Sequence, residues 1–196
     1  MTSTVIYLAT FAVAAFYAVS IYNALVTLRN RFGNAFAQID VQLQRRYELI
    51  PNLVEAARAY LIHEKETLSQ VTAARNQAAG LEKSLASDVA NPEAMSRFAQ
   101  AEGALNGALG RLLMVSEAYP DLKADGTVAS LMEELKSTEN RVSYARQAFN
   151  DAVMLYNVER ERFPNNLLAG LFAFHRATPL EIPHPEARDP VRIRMT

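Results

Sequence analysis

The sequence of 196 residues contains no cysteine. A disulfide framework, a thiolate metal site and a cysteine nucleophile are therefore excluded. Glycine and proline are scarce, with 7 and 8 residues, so few positions interrupt a helix. The 20 basic and 21 acidic side chains nearly cancel, which argues against a general nucleic-acid binder. A chain of this length fits one ordinary domain.

Charge is missing from the first 28 residues, because every charged side chain follows Leu28. This part contains an apolar stretch, Val5–Val26, which as a helix spans about 33 Å and so is long enough to cross a bilayer. A signal peptide is disfavoured because no basic residue precedes the stretch and because the stretch is long. A buried core helix is the other alternative. We predict a transmembrane anchor over residues 1–28.

The charges that flank this stretch predict its orientation. Four arginines and one aspartate lie between Arg29 and Arg46, whereas the N-terminal side offers only the α-amino group. By the positive-inside rule, the N-terminus faces out and the rest of the chain is cytoplasmic. The residues that we expect at the inner membrane interface come from this flank and from a later apolar run: Tyr17, Tyr22, Arg29, Arg31, Leu167, Leu168, Leu171, Phe172 and Phe174.

Beyond the anchor, apolar residues recur at steps of three and four, which predicts an all-α fold without strands. Asn91 followed by Pro92 is a specific helix start, because asparagine caps the free amides and proline fits the first helical position. Four helical segments follow from this spacing: Phe32–Ile50, Val54–Val71, Met95–Tyr119 and Val128–Tyr156.

Pro51 separates the first two segments and fits either a turn or a kink. A turn gives helices of comparable length, whereas a kinked rod would leave much of its apolar stripe uncovered. We therefore predict an antiparallel four-helix bundle over residues 29–162. Residues 163–196 then form a membrane-proximal apolar segment and a proline-rich, extended or disordered tail. The apolar run Leu167–Phe174 is too short to span a bilayer, and it either dips into the interface or caps the bundle.

The search for catalytic or metal-binding patterns is mostly negative. Gly103, Gly107 and Gly110 lie inside a helix, where close helix–helix approach explains them better than a phosphate loop. The sequence has no HExxH, GxSxG or paired Glu-x-x-His pattern. We therefore predict no catalytic residue, cofactor or metal.

Two polar clusters remain as candidate contacts for a partner. The HEKE run on the second helix can gather a divalent cation, but a solvated helix face is the favoured interpretation. The adjacent pair of arginines on the first helix can recognise a phosphate or an acidic partner, but bridging to carboxylates such as Glu48 is favoured. The candidate partner contacts are Arg45, Arg46, His63, Glu64 and Glu66.

Asn150 and Asn157 are seven residues apart and so share one face of the fourth helix. If they are buried, they require hydrogen-bond partners and can fix the helix register.

Several blocks of the chain resemble the LemA family. They are IYNALVTLRN at Ile21–Asn30, QIDVQLQRRYELIPNLVEAARAY at Gln38–Tyr60, AEGALNGALGRLLMVSEAYPDLKA at Ala101–Ala124, ELKSTENRVSYARQAFNDAVMLYN in the fourth segment, and RFPNNLLAGLFAF at Arg162–Phe174. The order of the blocks is the expected one. Phe149 stands where the family usually has tyrosine, and Pro179, Leu180 and Glu181 stand where it often has Tyr-Phe-Glu.

The resemblance implies a single-pass protein of the bacterial inner (cytoplasmic) membrane with a helical-bundle domain. It carries no catalytic residues over, because the family has none established. One branch of the family contributes to magnetosome membranes, and nothing in these residues selects that branch.

The leading functional prediction is a non-enzymatic membrane scaffold or adaptor, whose partners are the lipid bilayer and either other proteins or further copies of itself. The alternative is a protein that organises or curves the membrane surface. A metal-dependent enzyme built on the HEKE cluster is a third, less favoured reading. No nucleic acid and no small-molecule substrate are predicted.

Overall fold

A computed structural model describes residues 2–182 of the protein. Within this range the secondary structure is entirely helical, as the apolar spacing predicts. The helices are α1 (Thr2–Arg58), α2 (Lys65–Ser87), α3 (Pro92–Ser116), α4 (Pro120–Ala124), α5 (Gly126–Glu161) and α6 (Asn165–Leu171).

The first third of α1 stands clear of the rest of the protein. No side chain between Thr2 and Ser20 is buried, and Ile21 is the first that is. The most apolar part of this helix is long enough to cross a membrane, yet only 6% of it is buried. A core helix of a soluble protein would be covered by its neighbours, so the core-helix alternative does not fit.

The predicted turn at Pro51 is wrong. Helix α1 is continuous over 57 residues and passes through Pro51, and the chain turns only after Arg58. Proline removes the amide that would bond to the carbonyl four residues earlier, which belongs to Tyr47. Arg75 on α2 replaces that amide, because its Nε donates to the Tyr47 carbonyl oxygen over 2.9 Å. The apolar stripe also continues through the proline, with Ile50 and Leu53 both buried.

The helix starts follow local capping chemistry. The Asn91 side chain accepts hydrogen bonds from the amides of Glu93 and Ala94, which confirms the predicted start of α3 at Pro92. Asp125 caps α5 in the same way, and the Tyr60 hydroxyl donates to its carboxylate over 2.8 Å. The cap of α5 is thereby linked to the turn that follows α1.

Helix α1 packs along α5 and also against α2, which in turn packs on α3. Aromatic rings fill the contact between α1 and α5. Phe36 lies edge-on to Phe149, and Phe32 lies edge-on to Tyr156. Phe149, which stands where the LemA family usually has tyrosine, is fully buried and packs against the rings of Phe32 and Phe36.

The short helix α6 packs back onto α1 and α5. Beyond it, residues 175–182 have no regular secondary structure and are packed against the helices rather than free. Ala177, Leu180 and Ile182 are all buried. The prolines at 183, 185 and 190 lie outside the described residues.

Candidate functional site

A buried ionic cluster joins three helices in the middle of the bundle. Arg46 of α1 pairs with Glu102 of α3 and with Glu139 of α5, and the side chains of Arg46 and Glu102 are both 0% exposed. The Arg46 guanidinium also donates to the Asn106 side chain over 3.1 Å. The Tyr47 hydroxyl donates to the second oxygen of Glu102 over 2.6 Å. Two carboxylates and one amide thus share a single guanidinium.

The electrostatics of this cluster favour its charged form. Burial by itself would lower the pKa of Arg46, but the carboxylates of Glu102 and Glu139 raise it on balance. Burial, followed by the negative charge of Glu102, raises the pKa of Tyr47. Tyr47 therefore stays a neutral donor at every physiological pH. The cluster fixes helices to each other and leaves the Arg46 side chain no surface on which to meet a partner.

Arg45, the neighbour of Arg46, is placed differently. Its side chain is 56% exposed and pairs with Glu134 of α5. Both arginines pair with carboxylates, as expected, but the carboxylates belong to other helices. Glu48, which was named as an example, is exposed to solvent.

A second polar pair, which sequence reasoning missed, joins α1 to α2. Glu82 is buried and its carboxyl group faces that of Asp40. Burial, and then the hydrogen bond and negative charge of Asp40, raise the pKa of Glu82 to about 8. The raised pKa favours the protonated form of Glu82, which can donate to the Asp40 carboxylate.

The HEKE cluster does not form one helical face. His63 and Glu64 lie in the turn before α2, and only Lys65 and Glu66 belong to the helix. His63 is exposed, and Glu64 accepts a hydrogen bond from the Tyr119 hydroxyl over 3.4 Å. Among residues 2–182, no three His, Asp or Glu side chains are grouped so as to hold a metal ion.

An open groove of about 760 Å³ lies between α3 and α5. Its apolar lining comes from Leu109 and Leu113 on α3 and from Met132 and Leu135 on α5. The expectation that Gly107 and Gly110 mark close helix contacts is wrong, because a Cβ at either position would meet no atom within 4 Å. Gly110 instead widens the groove that it lines. The polar lining of the groove consists of Asn106, Glu133, Lys136, Glu139 and Asn140.

Asn150 and Asn157 hold the extended segment after α6. Asn157 donates to the carbonyl of Ala177 and accepts from its amide, over 2.8 and 3.0 Å. Asn150 does the same for Leu180, over 3.2 and 2.8 Å. The shared face predicted for these residues thus serves a backbone segment of this chain.

The residues predicted to lie at the membrane interface are found near the C-terminal end of α5, away from the groove. Tyr22 contacts the rings of Phe172 and Phe174, with centroid distances of 5.0 and 5.5 Å. Phe174 is buried, Leu168 is partly buried, and Leu167, Leu171 and Phe172 are exposed. Tyr17, Arg29 and Arg31 are also exposed along α1.

The sequence profile of the LemA family matches residues 35–195, which is most of the chain. The chain belongs to the LemA family. Together with the exposed apolar part of α1, this membership identifies a membrane-anchored protein with an all-helical body.

Three relatives within this LemA-type group are magnetosome proteins. Magnetosome protein MamQ 2 and Magnetosome protein MamQ 1 of Paramagnetospirillum magneticum are each 28% identical to this chain, and each match covers 80% of it. Magnetosome protein MamQ of Magnetospirillum gryphiswaldense is 26% identical over 79% of this chain. The match spans 63% of the length of each Paramagnetospirillum magneticum relative and 62% of the Magnetospirillum gryphiswaldense relative.

Proposed function

We propose that this protein is a non-enzymatic, membrane-anchored scaffold that holds a partner at a fixed distance from the bacterial cytoplasmic membrane. In this proposal the N-terminus faces out, and α1, α2, α3 and α5 form an antiparallel four-helix bundle in the cytoplasm. The observation that carries the proposal is the continuity of α1, which belongs to both the anchor and the bundle.

Because α1 is one continuous helix, it holds the helical body at a fixed distance from the anchor. The part of α1 from Arg29 to Arg58 extends about 45 Å at 1.5 Å per residue. The buried Arg46 pairs with the buried Glu102 and with the partly exposed Glu139, and so joins this part of α1 to α3 and α5 near its middle. A body held in this way cannot swing freely on a linker, which suits a protein that sets a distance.

We place the partner in the groove between α3 and α5. Leu109 and Leu113 are four residues apart, and Met132 and Leu135 are three apart, so each helix contributes an apolar row with one buried leucine at the base and one more exposed side chain. Two such rows are the surface that an amphipathic helix recognises. Glu133 and Lys136 add one charge of each sign to the lining. The occupant in this proposal is therefore an amphipathic helix of a partner protein. The exposed His63 and Glu66 at the far end of the molecule remain candidate secondary contacts.

Site-specific photo-crosslinking in native membranes tests this proposal. A photoreactive benzoylphenylalanine at position 113 faces the groove, whereas the same residue at the exposed position 114 does not line it. We expect a discrete protein adduct from position 113 only, and we expect Gly110→Trp to abolish it by filling the groove. Equal adducts from both positions, no protein adduct, or an adduct with a second copy of this chain would refute the proposed occupant.

A further inference from the structure

Helix α6 exposes the side chains that a soluble helix would bury. Leu167 and Leu171 lie four residues apart on one face and are 64% and 75% exposed. Asn165 and Ala169 lie on the opposite face and are buried. Phe163 and Phe172, which flank the helix, are also exposed. These four exposed residues, Phe163, Leu167, Leu171 and Phe172, are named the apolar shelf.

The apolar shelf is built into the fold and does not result from a frayed end. Asn165 donates to the backbone carbonyl of Glu159 over 2.9 Å and to its carboxylate over 2.7 Å. Beyond α6, the Arg160 side chain donates to the carbonyl of Phe174 over 2.6 Å. The Tyr156 hydroxyl donates to the carbonyl of His175 over 2.8 Å. Both ends of the segment are therefore held on α5 with its leucines facing outward.

The apolar shelf lies where α1 leaves its uncovered part. Phe172 contacts Tyr22, the residue that follows the first buried side chain of α1. From Val5 to Tyr22, the helix extends about 26 Å, close to the hydrocarbon thickness of a bilayer. When α1 spans the membrane, Tyr22 is near its inner boundary, and the shelf is beside it.

Exposed arginines lie on the segments next to the apolar shelf. Arg162 and Arg176 are exposed near α6, where they pair with Glu159 and Glu161 over 3.0 and 3.7 Å. The exposed Arg29 and Arg31 follow Tyr22 on α1. An apolar surface bordered by arginines is typical of a segment that lies in the interface of an anionic membrane.

We propose that the apolar shelf inserts into the headgroup–acyl boundary of the bilayer that α1 spans. The occupant is lipid because the shelf is continuous with the apolar surface of α1, which the same bilayer must cover. The inference rests on the proposed membrane anchorage and adds a second membrane contact to it. Two contacts on different elements fix the tilt of the bundle as well as its height.

Tryptophan fluorescence in vesicles tests the insertion, because the natural chain contains no tryptophan. The full chain carries Leu171→Trp, or Phe163→Trp as an aromatic-for-aromatic alternative, in vesicles containing phosphatidylglycerol. Phe16→Trp on the span and Tyr144→Trp on the exposed face of α5 are the matched controls. The acyl chains are brominated either near the headgroup or near the methyl end.

For insertion to a depth of about 5–10 Å, we expect headgroup-proximal bromine to quench the emission from the shelf positions more strongly than bromine near the methyl end does. We expect quenching at position 16 with the deeper label and none at position 144. If position 16 is quenched and both shelf positions are not, the insertion is refuted while the anchor stands. If position 16 is also unquenched, the anchorage itself is refuted. Blue-shifted emission that bromine does not quench would indicate that protein rather than lipid surrounds the shelf tryptophan, and it would equally overturn the inference.

Discussion

Replacing Arg46 by methionine is the most direct test of what holds the bundle together. The change removes the guanidinium that pairs with Glu102, a carboxylate with no exposure to water. Removing one partner of a buried ion pair costs about 3–5 kcal/mol, because the remaining charge is buried without compensation. Since domains of this kind have about 5–15 kcal/mol of total stability, the variant loses a large part of it.

Urea unfolding of the full chain in mild detergent, followed by helical circular dichroism, measures this loss. With a slope of about 2 kcal/mol per molar urea, the midpoint falls by about 1.5–2.5 M. Arg45→Met is the matched control, since its exposed pair with Glu134 is worth below about 1 kcal/mol. The double variant Arg46→Met/Glu102→Gln should regain most of the loss, because no charge is then left in the core and the glutamine amide oxygen can still accept from the Tyr47 hydroxyl.

Two outcomes would refute this reasoning. If Arg46→Met and Arg45→Met differ by less than about 1 kcal/mol, the Arg46 cluster is not buried as described. If the double variant is as unstable as Arg46→Met, the loss comes from packing and not from an unpaired charge.

Three further predictions concern other polar contacts. The pKa of Glu82 is about 8 in the folded state and near 4.5 in the unfolded state, so the free energy of unfolding falls as the pH rises between these values. In Glu82→Gln, unfolding measurements should show a smaller dependence of this free energy on pH. Asn157→Ala strands the buried amide and carbonyl of Ala177, at a cost of about 1–3 kcal/mol, and speeds tryptic cleavage after Arg176. Pro51→Ala restores the missing helix bond, so Arg75→Ala destabilises the protein less in that background than in the natural sequence, as a double-mutant cycle would measure.

Each of these predictions has a result that contradicts it. An unchanged slope of stability with pH in the Glu82 variant would place the buried proton on another group. Equal cleavage rates in the Asn157 variant and in an Asn140→Ala control would mean that the asparagine does not hold the extended segment. Additive effects at Pro51 and Arg75 would mean that the two residues do not share one carbonyl.

Local patterns were sufficient to predict most of the helical structure. The apolar spacing predicted helices over most of the described chain, and the Asn91–Pro92 pair fixed one start. The second predicted segment, Val54–Val71, is wrong as a unit, because the turn between Arg58 and Lys65 divides it between α1 and α2. The turn at Pro51 was predicted wrongly because the compensating donor, Arg75, is 24 residues further along the chain. No local rule identifies a side chain of another helix as the substitute for a missing amide.

The helical spacing of apolar residues could have identified the buried charges from the sequence. Arg46 lies three residues after Leu43 and four before Ile50, on the buried stripe of α1. Glu102 follows Phe98 by four and precedes Leu105 by three, on the buried stripe of α3. Opposite charges on two apolar stripes predict a buried pair. Which stripes face each other depends on the tertiary packing, and sequence spacing does not supply it.

The buried ions also constrain the membrane end of the molecule. A guanidinium bonded to Glu102, Glu139 and Asn106 cannot keep these partners if α1 rotates about its axis. Because α1 is a continuous helix, fixing its rotation at Arg46 also fixes the direction in which Tyr22 points. Tyr22 in turn sets the place of Phe172 and thus the side of the span on which the apolar shelf lies. Loosening the ionic cluster should therefore alter lipid contact at Leu171, roughly 35 Å away along the helix axis. The Arg46→Met/Leu171→Trp double variant tests this coupling. We expect bromolipid quenching at position 171 to be weaker in it than in Leu171→Trp alone. Unchanged quenching would show that the two ends of α1 move independently.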